Sequence, residues 1–121
     1  MRWLAIVAVS VASVALLGAC GGGTSQPAGS TKVTMTEFKF DPADLTVQHG
    51  KVVFWLVNAG SVSHDMSVQD SSGNAIATSE LVSAGDSTEF DIDNLPAGSY
   101  KIICTQPGHA DSGMKGTLTA T

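Results

Sequence analysis

From Lys32 onward, apolar residues alternate with polar ones or gather in short runs, separated by turn-forming clusters. No stretch sustains the 3.6-residue period of an amphipathic helix. The pattern predicts strands over Val33–Phe40, Leu45–Val47, Val52–Asn58, His64–Gln69, Ala75–Thr78, Thr88–Ile92, Tyr100–Thr105 and Gly116–Ala120. Between them stand breakers such as Asp41-Pro42, His49-Gly50, Asn58-Ala59-Gly60, Ala84-Gly85-Asp86, Pro96-Ala97-Gly98 and Pro107-Gly108. The run Val52 to Val57 is apolar throughout, as in a central strand covered on both faces, and Trp55 is expected in or near the core. Short strands at this spacing predict an all-β, antiparallel β-sandwich, in one domain and without internal repeats.

The first residues follow another pattern. Arg2 precedes a 15-residue apolar run from Trp3 to Leu17, which is short for a membrane span of about 20 residues and suits a secretory signal. Leu17-Gly18-Ala19-Cys20 resembles a bacterial lipoprotein lipobox, with Gly18 where Ala or Ser is more usual. In such a motif the cysteine becomes the lipidated first residue of the mature chain. A plain signal peptide or an N-terminal anchor helix is the alternative reading. The chain then divides into a signal peptide over 1–19, a lipidated Cys20 with a linker to residue 31, and a domain over 32–121. Gly21 to Thr31 holds no apolar side chain larger than Pro, so it reads as a flexible tether spanning about 17–20 Å. The expected location is outside the cytoplasmic membrane, anchored by lipid and facing the periplasm or the cell exterior.

Acidic residues outnumber Lys and Arg by 11 to 6, for a formal net charge of −5. That balance argues against nucleic acid as a partner and offers no basic patch to an anionic membrane, so membrane contact would rest on the lipid. Glu89, Asp91 and Asp93 fall on alternate positions and read as one solvated strand face, with partner docking as the alternative. With Cys20 taken by lipid, Cys104 is the one remaining cysteine and has no disulfide partner within the domain.

That thiol opens the segment Cys104-Thr105-Gln106-Pro107-Gly108-His109-Ala110-Asp111-Ser112-Gly113-Met114, a C-x4-H-x4-M spacing. A thiolate, an imidazole and a thioether this close suit a copper ion cycling between Cu(I) and Cu(II). The Pro107-Gly108 turn would aim His109 and Met114 back at Cys104. His64 lies upstream, beyond the loop that ends the apolar strand, and supplies a second imidazole, completing a His2Cys set with a weak axial Met. Each residue taken singly has a plainer reading: Cys104 as a small buried hydrophobe, His109 as a loop residue, His64 as a strand-end polar group and Met114 as core filler. Their joint order and spacing favour the metal. His49 reads as a solvated turn residue, and Met35 and Met66 as following strand alternation.

At these residues the sequence resembles the cupredoxin family of type 1 blue copper proteins, over about Phe40 to Thr119. The resemblance includes Phe40-Asp41-Pro42 leading to Leu45-Thr46-Val47, Gly50 before Val52-Val53-Phe54, and Asn58 ahead of His64. It continues through Leu95-Pro96-Ala97-Gly98-Ser99-Tyr100 and Ile103-Cys104-Thr105 to Met114-Lys115-Gly116-Thr117-Leu118. It implies a Greek-key sandwich binding one type 1 copper, with equatorial bonds from His64, Cys104 and His109 and a long axial bond from Met114. The Cys-to-His gap is longer than in plastocyanin-like loops, and the His-to-Met gap exceeds that of azurin-like loops by one residue. Where the family commonly has Asn after the first His ligand, this chain has Asp65. Asp65 is expected to accept a backbone N–H from the cysteine loop and, through its charge, to favour the oxidised ion.

A copper with no open position binds no substrate, so the expected function is single-electron transfer rather than catalysis. In the family the second His serves as the electron port; here that is His109, framed by Pro107, Gly108 and Ala110. The acidic surface would steer a basic redox partner such as a cytochrome or oxidase domain to what is expected to be a monomer. Only His49 would remain for a second copper centre, and one loop cysteine is too few for a binuclear site. Nucleophilic catalysis by Cys104 with His109 leaves Met114 and His64 without a role. Copper buffering or delivery uses the same ligands and is the alternative function; a sandwich with no metal in the cell is the third reading.

Overall fold

The computed structural model describes residues 25–121; the expected signal peptide, Cys20 and the start of the tether lie outside the described residues. Nine strands form two sheets. They are β1 (Thr31–Thr36), β2 (Lys39–Asp41), β3 (Asp44–Val47), β4 (Gly50–Asn58), β5 (Ser67–Gln69), β6 (Ala75–Thr78), β7 (Ser87–Leu95), β8 (Gly98–Ile103) and β9 (Lys115–Ala120). One sheet has the order β2-β1-β4-β7 and the other β3-β9-β8-β5-β6. No helix among the described residues is long and apolar enough to cross a membrane.

Alternation puts Val33 and Met35 of β1, Val52, Phe54 and Leu56 of β4, and Phe90 and Ile92 of β7 on the inner face of the first sheet. Val68, Ile102 and Leu118 answer from the second, in one continuous core. Phe54 and Phe90 are paired in register and stack with ring centroids 5.9 Å apart. Trp55 follows Phe54 and is itself buried, but it stands outside this core cluster, consistent with its place on the opposite side of the strand. Glu89, Asp91 and Asp93 are exposed, as the alternation predicts. Among the described residues every buried side-chain nitrogen or oxygen has a hydrogen-bond partner.

The sandwich agrees with the expectation, but its sheets are mixed, because β1 runs parallel to β4 and β3 parallel to β9. Period-two patterning reports which face a residue occupies and is silent on strand direction. The expected strand Val33–Phe40 is a hairpin that turns at Glu37 and Phe38, pairing Thr36 with Lys39 and Met35 with Phe40. The cause is a change of phase: Val33 and Met35 face inward on odd positions, Phe40 on an even one, and reversing the chain brings both sets to the core. The expected strand His64–Gln69 is paired as a strand only over Ser67–Gln69. His64 instead forms an isolated antiparallel bridge with Val82, its N–H on the Val82 carbonyl at 3.0 Å. β8 ends at Ile103, one residue before Cys104, and Thr31 of the expected tether already belongs to β1.

Register places the connections that matter at one end of the sandwich. Met35 at the end of β1 is level with Asn58 at the end of β4, and Ile103 at the end of β8 is level with Ser67 and Lys115. The β1–β2 turn, the β4–β5 connection and the β8–β9 loop therefore emerge together. Below them, Gly116 lets β9 pass the Ala43 carbonyl, which accepts the Thr117 N–H at 2.9 Å; a Cβ on Gly116 would overlap that carbonyl. Gly116→Ala is expected to lower stability by about 1–3 kcal/mol, the usual range for forced overpacking. A lower chemical-denaturation midpoint is the readout, and an unchanged one would show that the Ala43 segment yields freely.

Candidate metal centre

The two loops that carry the sulfur and nitrogen donors are shaped by their own backbones. Beyond Cys104 the chain turns at Gln106-Pro107-Gly108-His109, where the His109 N–H reaches the Gln106 carbonyl at 3.1 Å and Gly108 has φ of 78°. Pro at the second and a positive-φ Gly at the third position are what a type II turn requires. The loop closes on itself, with the Met114 N–H on the His109 carbonyl at 3.0 Å and the Cys104 N–H on the Met114 carbonyl at 3.1 Å. On the other side, buried Asn58 organises the segment leading to His64. Its amide donates to the carbonyls of Val62 (2.8 Å) and Val82 (2.9 Å), and its Oδ1 accepts the Gly60 N–H at 2.9 Å.

Together these loops bring His64, Cys104 and His109 into one cluster whose ligand atoms lie within 4.8 Å of one another. His64 Nδ1 and His109 Nδ1 are 3.2 Å apart, and Cys104 Sγ is 3.5 Å from His109 Nδ1. His64 and Cys104 are buried, at 0% and 1% exposure, whereas His109 is half-buried. Met114 is fully buried, its backbone tied to both Cys104 and His109. Burial pushes the Cys104 thiol above its ordinary range, opposed by backbone N–H groups of Asp65 and Gln106. A thiol that resists ionisation alone, beside two imidazole nitrogens aimed at the same point, fits a cation that takes a thiolate and releases its proton. With a thioether in the same loop, the donor set suits copper.

Asp65 accepts a backbone N–H from the cysteine loop, as expected, and a hydroxyl besides. Its Oδ1 accepts the Thr105 N–H at 2.7 Å, its Oδ2 accepts the Thr105 hydroxyl, and Gln106 Nε2 lies 3.5 Å away. The carboxylate next to His64 thus fastens the start of the cysteine loop. His49, exposed, bonds the Thr121 carbonyl at 2.8 Å through Nδ1 and takes no part in the cluster, while Met35 and Met66 are core residues.

Two residues at the site escape sequence reasoning because both belong to the unforeseen hairpin turn. Glu37 Oε1 accepts the N–H groups of Ser61 (2.8 Å) and Val62 (3.1 Å) and lies 3.2 Å from His64 Nε2. Those two N–H groups, Ser61 foremost, hold the Glu37 carboxyl down to about 2, with His64 adding to the effect. The Phe38 ring meets the His109 ring edge-on with centroids 5.0 Å apart, while remaining partly exposed. The signal available in the sequence was the switch of inward phase between Met35 and Phe40.

The sequence pattern of the cupredoxin-like domain matches residues 5–120. Auracyanin-B of Chloroflexus aurantiacus is 46% identical over 48 residues, which is 40% of this chain and only 20% of that protein. The copper-resistant cuproprotein CopI of Rubrivivax gelatinosus is 28% identical over 114 residues, covering 80% of this chain and 69% of CopI. The solved structure of auracyanin B superposes with a TM-score of 0.71 at 25% identity, over 81% of this chain and 92% of the other. Sandwich, donor cluster and sequence pattern agree, and the chain belongs to the cupredoxin-like domain family.

Proposed function

We propose that this protein is an exported, membrane-anchored blue copper protein that transfers single electrons through His64, Cys104, His109 and Met114. The observation that carries the reading is the convergence of His64 Nδ1, His109 Nδ1 and Cys104 Sγ at the end of the sandwich. A copper ion bound there supplies a Cu(I)/Cu(II) couple. The protein's part is to keep its donors still while charge changes. The Asn58 bonds, the Asp65–Thr105 link and the Cys104–Met114 closure all hold backbone to backbone or side chain to backbone, away from the donor atoms. His109 is the donor nearest solvent, with exposed Pro107 and Gly108 beside it and Phe38 against its ring, so it is the surface through which a redox partner would couple. The acidic face of β7 would steer a basic partner such as a cytochrome or oxidase domain.

Titrating copper into segment 24–121, beside Cys104→Ser, tests the site. The expected result is an intense blue thiolate-to-copper band with a narrow EPR hyperfine splitting, absent from the variant; no copper binding at all would sink the assignment. Similarity to CopI favours a second reading, copper buffering or delivery. A chelator decides between them in the same titration: an electron carrier keeps its copper, and a carrier of copper gives it up readily.

Asp65→Asn retains an acceptor for the Thr105 N–H and removes a negative charge next to His64. The reduction potential is expected to rise by tens of millivolts, where about 59 mV is a tenfold change for one electron. A potential equal to that of the parent protein would show that the charge of Asp65 has no hold on the metal.

Attachment through Cys20 rests on the Leu17-Gly18-Ala19-Cys20 motif. In a lipoprotein-processing bacterial host, the chain is expected in the membrane fraction with incorporated labelled fatty acid, and Cys20→Ser in neither state. Equal labelling of the two would remove the anchor from the proposal.

A further inference from the structure

The hairpin turn between β1 and β2 touches both imidazoles of the candidate centre, Glu37 at His64 and Phe38 at His109. The Glu37 contact is chemically specific. His64 is wholly buried, and its two ring nitrogens face different partners: Nδ1 faces the cluster, and Nε2 faces Glu37 Oε1 at 3.2 Å. An ionised carboxylate only accepts hydrogen bonds, so in a neutral His64 ring this contact calls for the proton on Nε2 and leaves the Nδ1 lone pair for the cluster. The carboxylate is itself held in place by the Ser61 and Val62 N–H groups, on the segment that leads into His64. Gly60 makes the approach possible, since a Cβ there would overlap Oε1. One oxygen thus gathers three donors from a single turn of chain, and the one from His64 belongs to the cluster.

We infer that Glu37 is a positioning residue for the metal centre: its carboxylate fixes the Nε2–H tautomer and ring orientation of His64, and its charge strengthens that imidazole as a donor to Cu(II). This rests on the copper reading above. The general physics is that of a carboxylate behind a metal-binding histidine, whose loss typically costs about 10–100-fold in metal affinity. Glu37 lies opposite Asp65 in function. Asp65 holds the cysteine loop, whereas Glu37 acts through the histidine itself.

The test compares the parent chain with Glu37→Gln and Glu37→Ala, first without metal. Long-range nitrogen–proton NMR at neutral pH is expected to show His64 as a single Nε2–H tautomer in the parent chain and in Glu37→Gln, whose amide oxygen still accepts. A mixture is expected in Glu37→Ala. With copper, Glu37→Gln is expected to keep the blue band at a higher reduction potential, and Glu37→Ala to lose at least about tenfold in Cu(II) affinity. A merely structural turn would leave the Glu37→Gln potential at the parent value, and that result overturns the inference. So does a parent His64 protonated on Nδ1, or an Nε2–H tautomer that survives Glu37→Ala. Should Glu37→Ala fail to fold, the Glu37→Gln potential decides alone. A parent chain that binds no copper defeats the copper reading, while the metal-free tautomers still decide whether Glu37 governs His64.

Discussion

Three side chains that can each donate an electron pair to a metal are held with their ligand atoms within 4.8 Å of one another at one end of the sandwich. Two imidazole nitrogens stand 3.2 Å apart beside a thiol sulfur, with two of the three residues almost wholly removed from water. Without a cation these groups can satisfy one another only by hydrogen bonds among themselves, since burial keeps water from His64 and Cys104. The cluster persists because the surrounding backbone is over-determined. The Asn58 side chain ties Gly60 and Val62, on the approach to His64, to Val82, the Met114 carbonyl closes the loop on the Cys104 N–H, and Asp65 fastens Thr105. A metal entering such a site meets donors already oriented, and the ordering cost has been met in folding.

The two histidines are not equivalent. His64 is sealed inside and tied at its far nitrogen to a carboxylate, while His109 is half-exposed on a tight turn with an aromatic ring at its edge. One imidazole is therefore fastened to the fold and the other faces outward, a division that suits a rigid centre reached from one side. Glu37 lies against His64 and the Asp65 carboxylate against Thr105, next to Cys104, where negative potential would favour the more positive oxidation state of a bound metal. The exposed carboxylates of β7 are remote in kind from these, since each faces solvent and is screened by it.

Much of the fold follows from local pattern. The inward positions of β4, β7 and β9, the turns at Pro and Gly, and the solvated Glu89-Asp91-Asp93 face are all visible as alternation and punctuation in the chain. The donor order C-x4-H-x4-M is local too, as is the Pro107-Gly108 turn that bends it. Where alternation misled, the two cases have different reasons. Val33–Phe40 reads as one strand because a phase slip of one residue is a weak signal beside eight residues of strand-forming chemistry. His64 reads as strand because the Val82 bridge that replaces a sheet ladder comes from another part of the chain.

What the sequence by itself determined is the class of fold, the identity of the four candidate donors and the presence of Asp65 beside one of them, because composition, period and spacing are properties of neighbours. Only tertiary structure decided that two strand pairs run parallel, that His64 meets the Cys104 loop, and that Glu37 and Phe38 reach the two imidazoles. Those contacts join residues dozens of positions apart, and they exist because sheet register brings three separate chain reversals to one end of the sandwich.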